Sequence, residues 1–202
     1  MSEYPLEGVR VLDLSRVLAG PYVGRLLSDL GADVVKVEPP DGDVSRFWGK
    51  VVAGLSGYYT QQNAGKRNIS IDLRTAGAAQ LVKRLAQRAD IVLENVRPGV
   101  LASYGLAYAD LSADNPRLIM LSISGYGQHG PTSDRPAYAA VVHAESGLMH
   151  RQSLIFKTGP KDIPVSIADM NAGLHGLSGV LAALFMRERT GRGQHIDIAR
   201  TD

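Results

Sequence analysis

The chain has 202 residues, 45% of them hydrophobic and 21% charged, the balance of a soluble globular domain long enough to bury a full core. Its 22 basic and 20 acidic residues leave a net charge of +2, and the basic ones are spread along the chain, so binding of nucleic acid or a membrane through bulk charge has no support. The absence of cysteine excludes a disulfide framework, a thiolate nucleophile and thiolate metal sites, and it fits a cytoplasmic home.

Residues 1–10 are polar and broken by Pro5, unlike a signal peptide. Residues 9–14 form a short apolar run that reads as a buried parallel strand, and 34–37 a second, after the turn at 30–33. Between them Pro21 can sit in a helix's first turn, with Val23, Leu26, Leu27 and Leu30 on one face. A third strand is expected over 69–73. An amphipathic helix over 78–89 follows, burying Leu81, Val82 and Leu85 and exposing Lys83, Arg84, Gln87 and Arg88. Strands four, five and six are expected at 91–93, 118–124 and 196–198. The uncharged run 170–186 contains His175, is short for a bilayer span, and reads as a buried helix whose Gly173, Gly176 and Gly179 allow close packing on the sheet or on a second subunit. Stretches 39–43, 125–136 and 157–164 read as irregular.

Such alternation implies an α/β fold: a Rossmann-like, doubly wound, mostly parallel sheet with helices on both faces. Ligands in these sheets bind beyond the carboxyl ends of the strands, which directs attention to the loops after strands one, two, four and five. The first of these loops lacks the Gly-x-Gly-x-x-Gly turn of a dinucleotide site. Gly65-Lys66-Arg67 imitates the end of a phosphate loop without its first glycine or its Ser/Thr, so an NTPase is a poor reading. The five histidines show no helical zinc-site spacing, and no metal ligands are assigned.

Three segments stand out: Leu18-Ala19-Gly20-Pro21, Asn95-Val96-Arg97-Pro98 and the helix opening at Ala168-Asp169. Read locally, Asp169 is an N-cap, Asn95 a turn cap and Arg97 a helix-start residue held by Pro98. Leu18 to Pro21, Leu30 to Glu38, Gly65-Lys66-Arg67 with Ile71-Asp72-Leu73, Glu94 to Gly99, Asn115-Pro116-Arg117-Leu118, Ser124-Gly125-Tyr126-Gly127-Gln128 and Thr190-Gly191-Arg192-Gly193-Gln194 occur in an order and at spacings that resemble the class III coenzyme A transferases. This family, also called carnitine dehydratase/bile-acid-inducible, includes formyl-CoA transferases and α-methylacyl-CoA racemases.

The resemblance implies that Asp169 is a nucleophile that attacks an acyl-CoA thioester, passing through a mixed anhydride to an aspartyl-CoA thioester. A helix N-terminus favours the ionised carboxylate such a role needs. It further implies that Val17, Leu18 and Ala19 line the thioester end of coenzyme A, and that Pro39, Ile71, Arg74, Asn95, Val96 and Arg97 flank its nucleotide and pantetheine. Coenzyme A enters as a substrate with a carboxylic acid acceptor, and no tightly bound cofactor is implied. Racemases of the family carry a histidine in a Gly-His-Asp segment where this chain has Ala137-Tyr138-Ala139. Tyr138 is a poor base near neutral pH, and His143 is expected to point elsewhere, which favours transfer over racemisation. Formyl-CoA transferases carry glutamine where this chain has Leu18, so a larger or more apolar acyl group is expected. Family members are about twice as long and form interlocked dimers. Residues 1–202 therefore read as the N-terminal part of the large coenzyme A-binding domain, without the small domain and returning segment, and a homodimer is expected. A non-catalytic coenzyme A-binding module or half-subunit is the alternative.

Overall fold

The computed structural model describes residues 3–201, so Met1, Ser2 and Asp202, the ends of the expected domain, lie outside the described residues. Strand β1 (Arg10–Asp13) leads through α1 (Ala19–Asp29) to β2 (Asp33–Glu38). A 3₁₀ turn (Val44–Phe47) and a hairpin of β3 (Val51–Val52) and β4 (Leu55–Ser56) precede α2 (Gly57–Asn63) and β5 (Arg67–Ser70). Next come α3 (Ala78–Ala86), β6 (Ile91–Glu94), α4 (Val100–Ser103), α5 (Tyr108–Ser112) and β7 (Ile119–Ser124). Helices α6 (Ala139–Glu145), α7 (Leu148–Phe156) and α8 (Ile167–Thr190) then lead to β8 (His195–Ala199).

Six strands pair in parallel in the order β5-β2-β1-β6-β7-β8. Counting only these six, the order is 3-2-1-4-5-6, a doubly wound sheet whose connections reverse direction between β1 and β6. Side chains alternate along each strand, so one face buries Leu93, Leu121 and Ile123 against Val23 and Leu27 of α1 and Ala172 and Val180 of α8. The other face packs Leu12, Val92 and Met120 on Val82 of α3, Leu101 of α4 and Leu111 of α5. Leu27 and Leu121 are fully buried, each contributing about 1.5–3 kcal/mol by leaving water.

The third sheet strand runs over 67–70, two residues earlier than the apolar run suggested. Asp72 forms a turn instead, accepting from the backbone N–H of Arg74 at 3.0 Å through its side chain and from that of Thr75 at 3.0 Å through its carbonyl. The expected buried helix is longer and only half buried. Its inner face carries Ala172, Gly176, Val180 and Ala183, while Leu174, Phe185 and Met186 are exposed. The glycines explain how close that inner face sits. A Cβ at Gly173 would lie 3.1 Å from the Ala19 carbonyl oxygen, at Gly176 2.8 Å from Leu121, and at Gly179 3.0 Å from Ile196. The sheet and α1 are therefore what the glycine edge packs against. No helix among the described residues is long and apolar enough to cross a membrane.

Candidate active site

The reversal point of the sheet gathers several buried polar side chains, among them Asp13, Ser15, Lys36, Asp43 and Glu94. The loop leaving β1 is held by four consecutive backbone groups. The Ser15 carbonyl accepts from Lys36 Nζ at 2.7 Å. Arg16 donates its N–H to Asn95 Oδ1 and accepts from Asn95 Nδ2, both at 2.8 Å, so a single amide bridges the loops after β1 and β6. Val17 N–H donates to Asp43 Oδ2 at 3.0 Å. Lys36 and Asp43 are themselves paired at 3.2 Å with only 1% of each side chain exposed. Burial pushes the Asp43 carboxyl up, but Lys36 and the Ser45 and Val17 N–H donors outweigh it and hold it below the usual carboxylate range. This clamp keeps Val17 at a φ of 70°, a left-handed conformation that strains a β-branched residue by about 1–3 kcal/mol.

A second buried pair lies beneath the loop. Lys66 Nζ is 2.8 Å from Asp13 Oδ2 and also donates to the Pro21 carbonyl and to Asn63 Oδ1. Lys66 of the Gly65-Lys66-Arg67 run is thus committed to the core. Burial raises the Asp13 carboxyl, yet Lys66 and Lys36 hold it below its ordinary value, so the pair is ionic.

Beyond these strand ends opens a cleft of 760 Å³, walled by the loops after β1 and β6, the start of α6, residues 162–166 and the first turn of α8. Asp169 opens onto it. The N-cap of α8 is Ser166, which makes no side-chain capping bond, so Asp169 stands in the first turn and does not act as the cap. Its Oδ1 accepts from Arg200 Nε at 2.8 Å, and among the described residues Oδ2 takes no hydrogen bond. Arg200 reaches Asp169 from just past β8, with its Nη1 on the Ala137 carbonyl at 3.1 Å and its backbone N–H on the Ser124 carbonyl at 3.0 Å. Tyr58 of α2 and Trp48, edge-on to each other at 5.6 Å, close another side of the cleft. Burial and then the charges of Asp169 and Asp43 raise the Tyr58 phenol, which therefore stays protonated. At the mouth, Arg16 and Arg97 line the cleft with exposed guanidinium groups.

A sequence profile of CoA-transferase family III matches residues 6–202. The chain belongs to this family. It is 44% identical over 98% of its length to a succinate–glutarate CoA-transferase of Agrobacterium fabrum, covering 51% of that protein. It is 42% identical over 96% of its length to the human succinyl-CoA:glutarate CoA-transferase, covering 44% of it. A crystal structure of a CAIB/BAIF family protein from Brucella suis superposes on the whole chain with a TM-score of 0.91 at 43% identity, the chain covering 54% of that structure. The chain therefore spans about half the length of the relatives it matches.

In this family III chain the residues singled out from sequence fall into two groups. Val17, Leu18, Asn95, Val96, Arg97, Tyr138 and Asp169 line one cleft. Ala19 is fully buried in the first turn of α1 behind it. Pro39, Ile71 and Arg74 stand past the carboxyl ends of β2 and β5, outside the cleft lining; Ile71 packs on the α3 face, and Arg74 is exposed with its guanidinium on Asp72 at 2.8 and 2.9 Å. His143 departs from its expected direction. It is buried, lines the cleft, and its Nε2 accepts from the Ala168 N–H at 3.2 Å, because α6 packs across the start of α8. Among the described residues no three His, Asp or Glu side chains gather to hold a metal ion.

Arg200, Lys36, Asp43 and Tyr58 were not singled out. Lys36 carried a signal, since a lysine inside the apolar run Val34-Val35-Lys36-Val37 must find a buried partner. Arg200 carried none, being 31 residues from Asp169.

Proposed function

We propose that this chain is the N-terminal part of the large domain of an acyl-CoA:carboxylate CoA-transferase with Asp169 as its nucleophile. The observation that supports this best is the carboxylate itself: one oxygen is held by Arg200, the other takes no hydrogen bond among the described residues, and the residue lines a cleft at the reversal point of the sheet. In the proposed sequence Oδ2 attacks the thioester carbonyl, the carbon–sulfur bond breaks and the thiolate of coenzyme A leaves a mixed anhydride. The thiolate then attacks the aspartyl carbonyl and releases the donor acid, giving an aspartyl-CoA thioester. An acceptor carboxylate reverses both steps and departs as the new acyl-CoA.

Arg16 and Arg97 at the mouth suit the phosphates of coenzyme A, and the apolar wall of Val17, Leu18 and Val96 suits its amide arm. The names of the relatives point to succinyl-CoA and other short dicarboxylates as the donor and acceptor class. Racemisation is disfavoured, since the relatives carry transferase names and Tyr138 offers a phenol where a second base is needed. A homodimer and a cytoplasmic setting belong to the same reading. Leu174, Phe185 and Met186 on the outer face of α8 are the apolar surface that a second chain would cover.

The test is mass spectrometry of the chain incubated with succinyl-CoA and no acceptor. An adduct on the Asp169 peptide that hydroxylamine removes is expected. Solvent deuterium appearing at the α carbon with no adduct would replace this reading with the racemase, and binding with neither outcome would leave a coenzyme A-binding module.

A further inference from the structure

Helix α8 begins without help from its own N-cap residue, because the Ser166 side chain accepts no hydrogen bond. The missing acceptor comes from elsewhere. His143 of α6, with 2% of its surface exposed, places Nε2 3.2 Å from the N–H of Ala168, the residue immediately before Asp169. Its other ring nitrogen, Nδ1, is 2.7 Å from Asp162 Oδ1 in the segment that walls the cleft. An imidazole that accepts at Nε2 must carry its proton on Nδ1, and a carboxylate on Nδ1 fixes that tautomer. The contacts close into a ring. Ala168 is held by His143, Asp169 by Arg200, and Arg200 by the Ala137 carbonyl at the entry to α6, the helix that bears His143.

We propose that His143, oriented by Asp162, is a positioning residue that caps α8 from outside and fixes the Asp169 carboxylate against Arg200 at the cleft. The proposal rests on the reading of Asp169 as nucleophile. His143 touches no reacting atom; it sets the backbone from which the nucleophile projects. Asp162 is 40% exposed, so water can satisfy it when the imidazole is removed, whereas the buried Ala168 N–H has no such recourse.

Three measurements on the whole chain test this. Long-range nitrogen–proton correlation spectra of the wild type should show His143 protonated on Nδ1 alone; an Nε2-protonated or doubly protonated ring at neutral pH overturns the proposal without any substitution. His143→Phe keeps the apolar bulk but removes the acceptor, so exchange of the Ala168 amide should quicken about tenfold and the carbon resonance of the Asp169 carboxyl should move. His143→Gln, whose side-chain oxygen can reach the place of Nε2, should restore both. A folded His143→Phe chain with wild-type amide exchange and a wild-type Asp169 carboxyl resonance refutes the positioning role. The acyl-CoA trap separates the two levels. No adduct in the wild type overturns the transferase reading and with it the purpose given to His143, while an adduct that forms equally fast in wild type and His143→Phe overturns the positioning role alone.

Discussion

Arg200 secures one oxygen of Asp169, and its twin takes no hydrogen bond among the described residues: Nε lies 2.8 Å from Oδ1, with 11% of each side chain exposed. Asp169→Asn keeps an oxygen for Arg200 to bond, so the fold should survive within about 1 kcal/mol by urea titration while adduct formation falls by roughly a thousandfold or more. Arg200→Met should behave differently. It strands a partly buried carboxylate and releases the Ala137 carbonyl, with an expected loss of about 2–4 kcal/mol. Combining the two substitutions should be less damaging than the sum of the singles, and a strictly additive double mutant would show that the pair is not coupled.

The clamp on the β1 loop makes a sharper demand. Lys36→Met leaves Asp43 buried without its counter-ion and frees the Ser15 carbonyl, and should lower stability by about 3–5 kcal/mol. Asp43 has a depressed folded value, so its contribution is present above the carboxylate's unfolded value of about 4 and is lost as the pH falls through the lower folded value. Urea midpoints between pH 5 and pH 2 should therefore fall steeply in the wild type and less in Asp43→Asn. Equal slopes would mean that the pair adds nothing to stability.

Asn95 and Arg97 sit two residues apart and should differ in what they do to stability. Both hydrogen bonds of the Asn95 amide go to Arg16 backbone, so Asn95→Ala should destabilise the chain by about 1–3 kcal/mol and loosen coenzyme A binding through the loop. Arg97 lines the mouth with an exposed guanidinium, so Arg97→Ala should weaken coenzyme A binding about tenfold in calorimetry and leave the urea midpoint unchanged. Unaltered affinity in Arg97→Ala would remove that side chain from the binding site.

Periodicity was enough to count the six sheet strands, because buried parallel strands are written as short apolar runs between turn residues. The order 3-2-1-4-5-6 needed pairing partners that no local pattern specifies. Helices α4 and α5, of four and five residues, are too short to show an apolar face, and the β3–β4 hairpin turns at Ala53 and Gly54, both with positive φ, without the Asn-Gly or Asp-Gly that announces such turns. At the site, Asp169 was marked by the helix it opens. Its surroundings were not: Arg200 and His143 come from 31 and 25 residues away along the chain to bond Asp169 and Ala168, and only the folded sheet brings them there. Asn95 was marked for the right loop, yet its engagement with Arg16 across the reversal point depends on β1 and β6 being neighbours.

Glu94, at the carboxyl end of β6, gives the chain a second pH dependence of opposite sign. Only 4% exposed, it sits beside Ser122 and accepts from the Val96 N–H at 2.9 Å; burial pushes its carboxyl up to about 7 against the weaker pull of these two donors, and the Asp197 charge adds to the rise. Between about pH 4.5 and 7 Glu94 keeps in the folded chain a proton that it has given up in the unfolded one, so its contribution to stability falls as the pH rises through this window, whereas His195, held below its ordinary value by burial, contributes a rise. The fall should be on the order of 3 kcal/mol, complete by about pH 8. Glu94→Gln keeps the shape and an oxygen for Val96 but cannot ionise, so its stability relative to the wild type's should rise steadily from pH 5 to 8. Chemical denaturation at half-unit steps of pH measures this directly. A difference between wild type and Glu94→Gln that stays constant across the window would show that Glu94 ionises in the folded chain as readily as in the unfolded one.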